Sequence, residues 1–185
     1  PKCTKPLTFY QQIYPILSTA VGYTERGSEW LSDACYHGSS LLSTSTAEHF
    51  GYVPGMQYVC VVARIKHPQA LSTSELERRV RIIVDSLAVS LELNGAKVPF
   101  FVEDHRAVLF TPVEPNTSES AYRTRLMKAI TDLKRRHPEV KFTASTGEVA
   151  TNLAGFSKSF QAADKTLSMA RRLRAGGPVY FYSDW

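Results

Sequence analysis

Cysteine is scarce in this 185-residue chain. Cys3, Cys35 and Cys60 form no C-x-x-C pair and no Cys/His ligand spacing, which argues against a disulfide framework and against a structural zinc site. Cys35 and Cys60 stand among apolar neighbours and read as reduced, buried side chains of a cytoplasmic protein. Long apolar runs are missing as well. None approaches the ~18 residues that a membrane-spanning helix requires, so no membrane is expected among the partners. The first residue is Pro1 rather than Met, and the opening stretch lacks the basic-then-apolar order of a signal peptide. It reads as a piece of a longer protein. Internal repeats and low-complexity tracts are absent too.

The usual catalytic signatures are lacking. His37, His49, His67, His105 and His137 make no H-E-x-x-H and no i,i+4 pair on one helix, and no metal or cofactor is expected. There is no G-x-S-x-G, no P-loop and no G-x-G-x-x-G. The net charge of +5 permits contact with nucleic acid without requiring it. Its basic residues gather in Arg78-Arg79-Val80-Arg81, Lys134-Arg135-Arg136 and Arg171-Arg172-Leu173-Arg174, inside amphipathic helical patterns where solvated faces explain them. No aromatic interleaving of the kind a single-strand binder uses accompanies them.

Hydrophobic residues make up 43% of the chain, enough for one good-sized domain with its own core. "QYVCVVARIK", Gln57 to Lys66, is β-branched and apolar with little polar alternation, and reads as a strand covered on both faces. The following helix has Leu76, Val80, Ile83, Leu87 and Leu91 on one side, with Ser74 and Glu77 at capping-box spacing and Asn94-Gly95 at its end. Val98 to Glu103 and Arg106 to Thr111 read as two strands of a hairpin turning at Asp104-His105. Tyr122, Leu126, Ile130 and Leu133 mark a second helix, stopped near Pro138. "VKFTAST" reads as a strand. Phe156, Phe160, Ala163, Leu167 and Ala170 stripe a third helix, closed by Gly176-Gly177, and "PVYFYS" supplies a last strand.

From residue 57 the order is β-α-β-β-α-β-α-β, which contains the split ferredoxin-like arrangement plus one helix and one strand. The expected class is α+β, a palm with an antiparallel sheet and helices on one face. Residues 1–55, without strand periodicity, read as a helical lead-in broken at Gly27 and Gly38. Residues 56–185 read as the α+β domain. The charged tip of the hairpin, Glu103-Asp104-His105-Arg106, has the residue types of an acid/base site, but hairpin tips collect short polar residues for conformational reasons.

Beyond these patterns, "ASTGEVA" followed by "SFQAADKTLSMARRLRAGGPVYFYSD" resembles the carboxy-terminal part of GGDEF domains, the diguanylate cyclases. The match runs through Ala163-Asp164, Leu167, Ala170-Arg171 and Tyr182-Ser183-Asp184. Under that resemblance "RAVLF" stands where the enzymes have "FAVLL", and Val102, Glu103, Asp104, His105 and Arg106 replace the signature letters, with Asp104 alone retained. The resemblance implies that Val102 and Glu103 put side chains where paired glycines would let a nucleotide approach. It also implies that Arg64-Ile65-Lys66 replaces the acidic ligands of the metal, which needs oxygen donors. The inhibitory-site pair is replaced by Leu93-Asn94-Gly95-Ala96.

The lead-in "WLSDACYHGSS…STAEHFGYVPGMQYVCVVARI" together with the chain's end near "VYFYSD" is similar to the degenerate GGDEF-like domain of bacterial transcriptional regulators of the PucR/CdaR type. That similarity implies a cytoplasmic, non-catalytic module for dimerisation or signal relay, which forms a homodimer and reaches DNA through a separate helix-turn-helix domain. The alternative it leaves open is a domain that binds a small-molecule or nucleotide effector in the old cleft without turnover, with Arg64, Lys66 and Arg106 as the candidate anion contacts.

Overall fold

The computed structural model describes residues 25–38, 44–49, 51–66, 71–91 and 98–185. Cys3, His67, Leu93-Asn94-Gly95-Ala96 and the lead-in before residue 25 lie outside the described residues. Among the described residues two helices come first, α1 (Glu25–His37) and α2 (Thr44–His49). They are followed by β1 (Gln57–Ile65), α3 (Thr73–Ser90), β2 (Phe100–Glu103), β3 (Arg106–Val113), α4 (Glu119–Arg136), β4 (Phe142–Ala150), α5 (Phe156–Arg172) and β5 (Val179–Tyr180). From β1 onward this is the β-α-β-β-α-β-α-β order read from the sequence, and the class is α+β with a palm-like sheet.

The strands lie in the order β2-β3-β1-β4-β5. β1 is central and antiparallel to both β3 and β4, and β2 is antiparallel to β3. β5 departs from the expected all-antiparallel sheet: it pairs parallel to β4, through Ala144 with Val179 and Ser145 with Tyr180. The two strands are joined by a whole helix and not by a hairpin turn, and such a crossover returns the chain in the same direction. Among the described residues, no helix is long and apolar enough to cross a membrane.

Helices cover both faces of the sheet, not one. The apolar run in β1 shows why: Val59, Val61, Ala63 and Ile65 enter one core, while Tyr58, Cys60 and Val62 enter another on the opposite side. The first core is closed by α3 and α4 through Leu76, Val80, Ile83 and Leu87, and Leu126, Ile130 and Leu133. The second is closed by α5 and α1 through Phe156, Phe160 and Leu167, and Trp30, Leu31 and Ala34. Phe156 stacks on Phe110 with ring centroids 4.2 Å apart and 9° between planes. The third sequence-predicted helix thus builds a layer of its own, because its stripe is fully apolar and needs a face that α3 and α4 do not occupy.

Several helix ends differ from the sequence reading. α3 is capped by Ser72, whose Oγ accepts from the Glu75 N–H at 3.3 Å, so the box built on Ser74 and Glu77 is displaced by two residues. The helix ends at Ser90, four residues before Asn94. Gly27 lies inside α1 and does not break it, whereas Gly38 follows its end with φ +77°. α5 is stopped by Arg174, at φ 49°, with the Ala175 N–H donating to the Ala170 carbonyl at 3.0 Å. That is the six-to-one bond of a left-handed helix stop, which Gly176-Gly177 do not make.

One irregularity fixes how α5 sits on the sheet. The register of β4 on β1 slips between Val59 and Val61, the signature of a β-bulge. The Ser159 Oγ of α5 fills the gap, accepting from the Cys60 N–H at 3.0 Å and donating to the Glu148 carbonyl at 2.5 Å. Helix and strand approach so closely there that a Cβ on Gly147 would stand 1.8 Å from the Ser159 carbonyl oxygen. Ser145, two residues earlier, donates its hydroxyl to the Ala163 carbonyl at 2.8 Å. The S-x-G sequence of β4 is therefore a helix-seating element.

Candidate functional site

The tip of the β2-β3 hairpin is a two-residue turn with both residues in the left-handed region, Asp104 at φ 46° and His105 at φ 62°. Two consecutive positive φ values match the twist of antiparallel strands, and Asp tolerates them better than most non-glycine residues. The His105 carbonyl accepts from the Ile65 N–H at 2.9 Å, which ties the tip to the end of β1.

Strand alternation decides where the five tip residues point. Val102 is 3% exposed and belongs to the first core, so it does not line a nucleotide cleft as the resemblance implied. The period of two turns Glu103 to the other face, beside Phe101. There it pairs with Arg106 at 3.2 Å, and the Tyr36 hydroxyl of α1 donates to its carboxylate. Burial, and after it the Glu103 contact, raises the Tyr36 phenol above its ordinary range. The Tyr36 ring meets Phe160 edge-on at 5.1 Å. Arg106 reaches past Glu103 to Asp164 of α5, 2.5 Å away. A chain of charge and hydrogen bonds, Tyr36, Glu103, Arg106 and Asp164, therefore ties α1 to the hairpin and the hairpin to α5. A further bond, from the Ser157 hydroxyl to the Cys35 carbonyl at 2.8 Å, ties α1 to α5 directly.

Arg64 faces Arg106 across the β1-β3 ladder. Its guanidinium pKa is lowered, first by burial and then by the positive charges of Arg171 and Arg106, with Asp104 and Asp164 opposing. Lys66 does not join this group. It lies just past the end of β1 and is exposed, and its charge bears instead on Lys134, on the face of the first core. The three expected anion contacts are thus split: Arg64 and Arg106 stand together, and Lys66 stands apart because one further residue carries the chain off the ladder.

Tyr36, Asp164 and Arg171 take part in this cluster without having been singled out as site residues by the sequence reading. Asp164 had a signal, its place in the Ala163-Asp164 pair. Tyr36 had none, since its partner is 67 positions away. Cys35 and Cys60 are buried free thiols, and burial pushes both well above the ordinary thiol range. Among the described residues, no group of three or more His, Cys, Asp and Glu side chains stands close enough to hold a metal ion.

A second clasp holds the last residues. Arg123 of α4 grips Asp184 through two contacts, at 2.7 and 2.9 Å, donates to the Ser183 hydroxyl at 2.9 Å, and lies 4.4 Å over the Phe181 ring. Lys158 of α5 pairs with Glu148 at 2.7 Å, and Glu148 is in turn hydrogen-bonded to Tyr182.

The family model of the GGDEF-like domain matches residues 39–169. No curated protein matches the chain.

Proposed function

The chain belongs to the GGDEF-like domain family, and from that premise we propose that it is a non-catalytic regulatory module. It serves dimerisation and signal relay in a cytoplasmic bacterial transcriptional regulator of the PucR/CdaR type, whose DNA contact is made by a separate domain. The reading rests on where the charges of the hairpin tip go. Glu103 and Arg106, which replace signature residues, are engaged with Tyr36 of α1 and Asp164 of α5. A tip that binds its own helices is built to sense their position, and a carboxylate paired with an arginine is a poor ligand for magnesium. Direct DNA binding by this chain is not part of the reading, since the basic helices α3, α4 and α5 each bury an apolar stripe against the sheet.

Three measurements test it. Incubation with GTP and magnesium is expected to give no cyclic dinucleotide, and product formation would overturn the non-catalytic assignment. Light scattering on the eluting protein is expected to give twice the chain mass, and a strict monomer at high concentration removes the dimer. Replacing Glu103 by Gln is expected to speed amide exchange in α1 while leaving β1 protected. Unchanged exchange in α1 removes the relay.

A second reading, an effector domain that binds its ligand in this cluster without turnover, is favoured by Arg64. Among the described residues its guanidinium has no hydrogen bond and no ion pair, although it is half-buried.

A further inference from the structure

The bulge that seats α5 on one face of the sheet leaves a cavity on the other. Thr146 lies opposite Val61 and Val149 opposite Val59, with one residue more between them on β4 than on β1. Val59 and Val61 belong to the first core, so Thr146 and Val149 face that side. The intervening Gly147 and Glu148 are drawn toward α5, where the Glu148 carbonyl accepts from Ser159 and Gly147 meets the helix backbone. What they vacate is a cavity of about 210 Å³ between the bulge, the first turn of α4 and the last residues, walled by Val59, Val149, Phe181 and Tyr182. It lies across the sheet from Arg64 and Arg106, so it is separate from both proposed roles.

Val149 and Tyr182, both partly exposed, form its mouth. Thr146 is 2% exposed and lines the cavity, and its hydroxyl makes no hydrogen bond among the described residues. The Tyr122 hydroxyl is already bonded to Thr111 at 3.0 Å. The charges at the rim are engaged as well, Arg123 with Asp184 at 2.7 Å and with Glu119 at 3.8 Å, and Glu148 with Lys158 at 2.7 Å. An ion entering there would have to break one of these pairs, whereas an uncharged molecule would not. We propose that the cavity binds a small uncharged ring compound carrying one hydroxyl or carbonyl group, which bonds to Thr146. An apolar cavity of about 150 Å³ takes benzene, and the larger volume here leaves room for one polar substituent. A hydroxyl left unbonded in an apolar wall gains most from a ligand that supplies its missing partner.

The test is a titration of the whole chain, labelled at amide nitrogen, with phenol as the probe, following the Gly147 and Tyr182 resonances. Saturable shifts confined to residues of the cavity are expected, with toluene binding about fivefold more weakly for want of one hydrogen bond. Thr146→Val keeps the shape of the side chain and removes its hydroxyl, so phenol and toluene should then bind alike. Val149→Trp, at a half-exposed position, should close the mouth and abolish both responses while leaving the core intact. No saturable shift with phenol, or saturation that neither variant alters, overturns the proposal. Tighter binding of benzoate or benzylammonium overturns the uncharged class. Shifts of the same amides that follow protein concentration with no probe present would mean that a side chain of a second copy fills the cavity, and would overturn it too.

Discussion

The two faces of the sheet are built from different chemistry. Toward α3 and α4 the core is mainly aliphatic, with Val, Leu and Ile from four strands and two helices. Toward α1 and α5 it is aromatic and pegged by polar groups: Phe156 on Phe110, Tyr52 on Tyr58 at 5.5 Å, Ser145 and Ser159 bonded to backbone, and the Arg106 ion pairs at its edge. Burial of aliphatic surface is non-directional, so the first face adds stability without fixing one geometry and tolerates exchange of similar volumes. Stacked rings and hydroxyl pegs demand one geometry, so the second face sets position. Among the described residues, the contacts of α1 through Trp30, Cys35 and Tyr36 lie on that second face.

The largest expected effect comes from Phe156→Ala, which empties the centre of the aromatic layer. It should lower stability by ~3–5 kcal/mol, the range for a buried ring, and amide exchange should show α1 released before α3 and α4. Loss of protection on both faces together would erase the contrast. Gly147→Ala comes next. A methyl group 1.8 Å from the Ser159 carbonyl oxygen must push α5 off the sheet, for about 3 kcal/mol by the range for overpacked sites, read from denaturant midpoints. A neutral outcome would mean that the helix is not seated there. Ser159→Ala should cost about 1–2 kcal/mol, because the Cys60 N–H then has no acceptor inside the bulge, and the Cys60 amide should show it by faster exchange.

The smallest effect concerns the exception on the aliphatic side. Glu77 of α3 is buried, and its Oε1 has no partner among the described residues. Burial raises its pKa, with Arg81 opposing. A carboxyl raised in the folded state contributes stability that is complete below its unfolded value, about 4.3, and is lost as pH rises through its folded value. Glu77→Gln should therefore stabilise the protein at pH 7 by less than about 1 kcal/mol, with the gain vanishing toward pH 4. Thermal unfolding at the two pH values decides it, and a gain independent of pH would mean that ionisation is not the cause.

Local periodicity carried most of the fold. The stripes Leu76–Leu87, Tyr122–Leu133 and Phe156–Ala170 and the apolar run of β1 each report burial within one element, and each is buried as read. Which face a helix covers is not a local property, and the expected single helical layer failed on that point. The same limit applied to the tip. Sequence spacing identified Glu103 and Arg106 as a charged turn, but it took strand alternation in three dimensions to send Val102 into the core and Glu103 to Tyr36. Helix stops were misread where a non-glycine residue, Arg174, adopted the left-handed conformation usually given to glycine.

α5 is gripped at two levels along its length. Near its start Ser157 bonds α1 and Lys158 pairs with Glu148 of β4, which in turn bonds Tyr182, and about two turns further on Asp164 pairs with Arg106 of the hairpin. A rod gripped at two heights has little freedom to swivel about its own axis without slipping at one of the grips. A shift of α1 against Ser157 would act on the neighbouring Lys158, and through Glu148 on the closing residues.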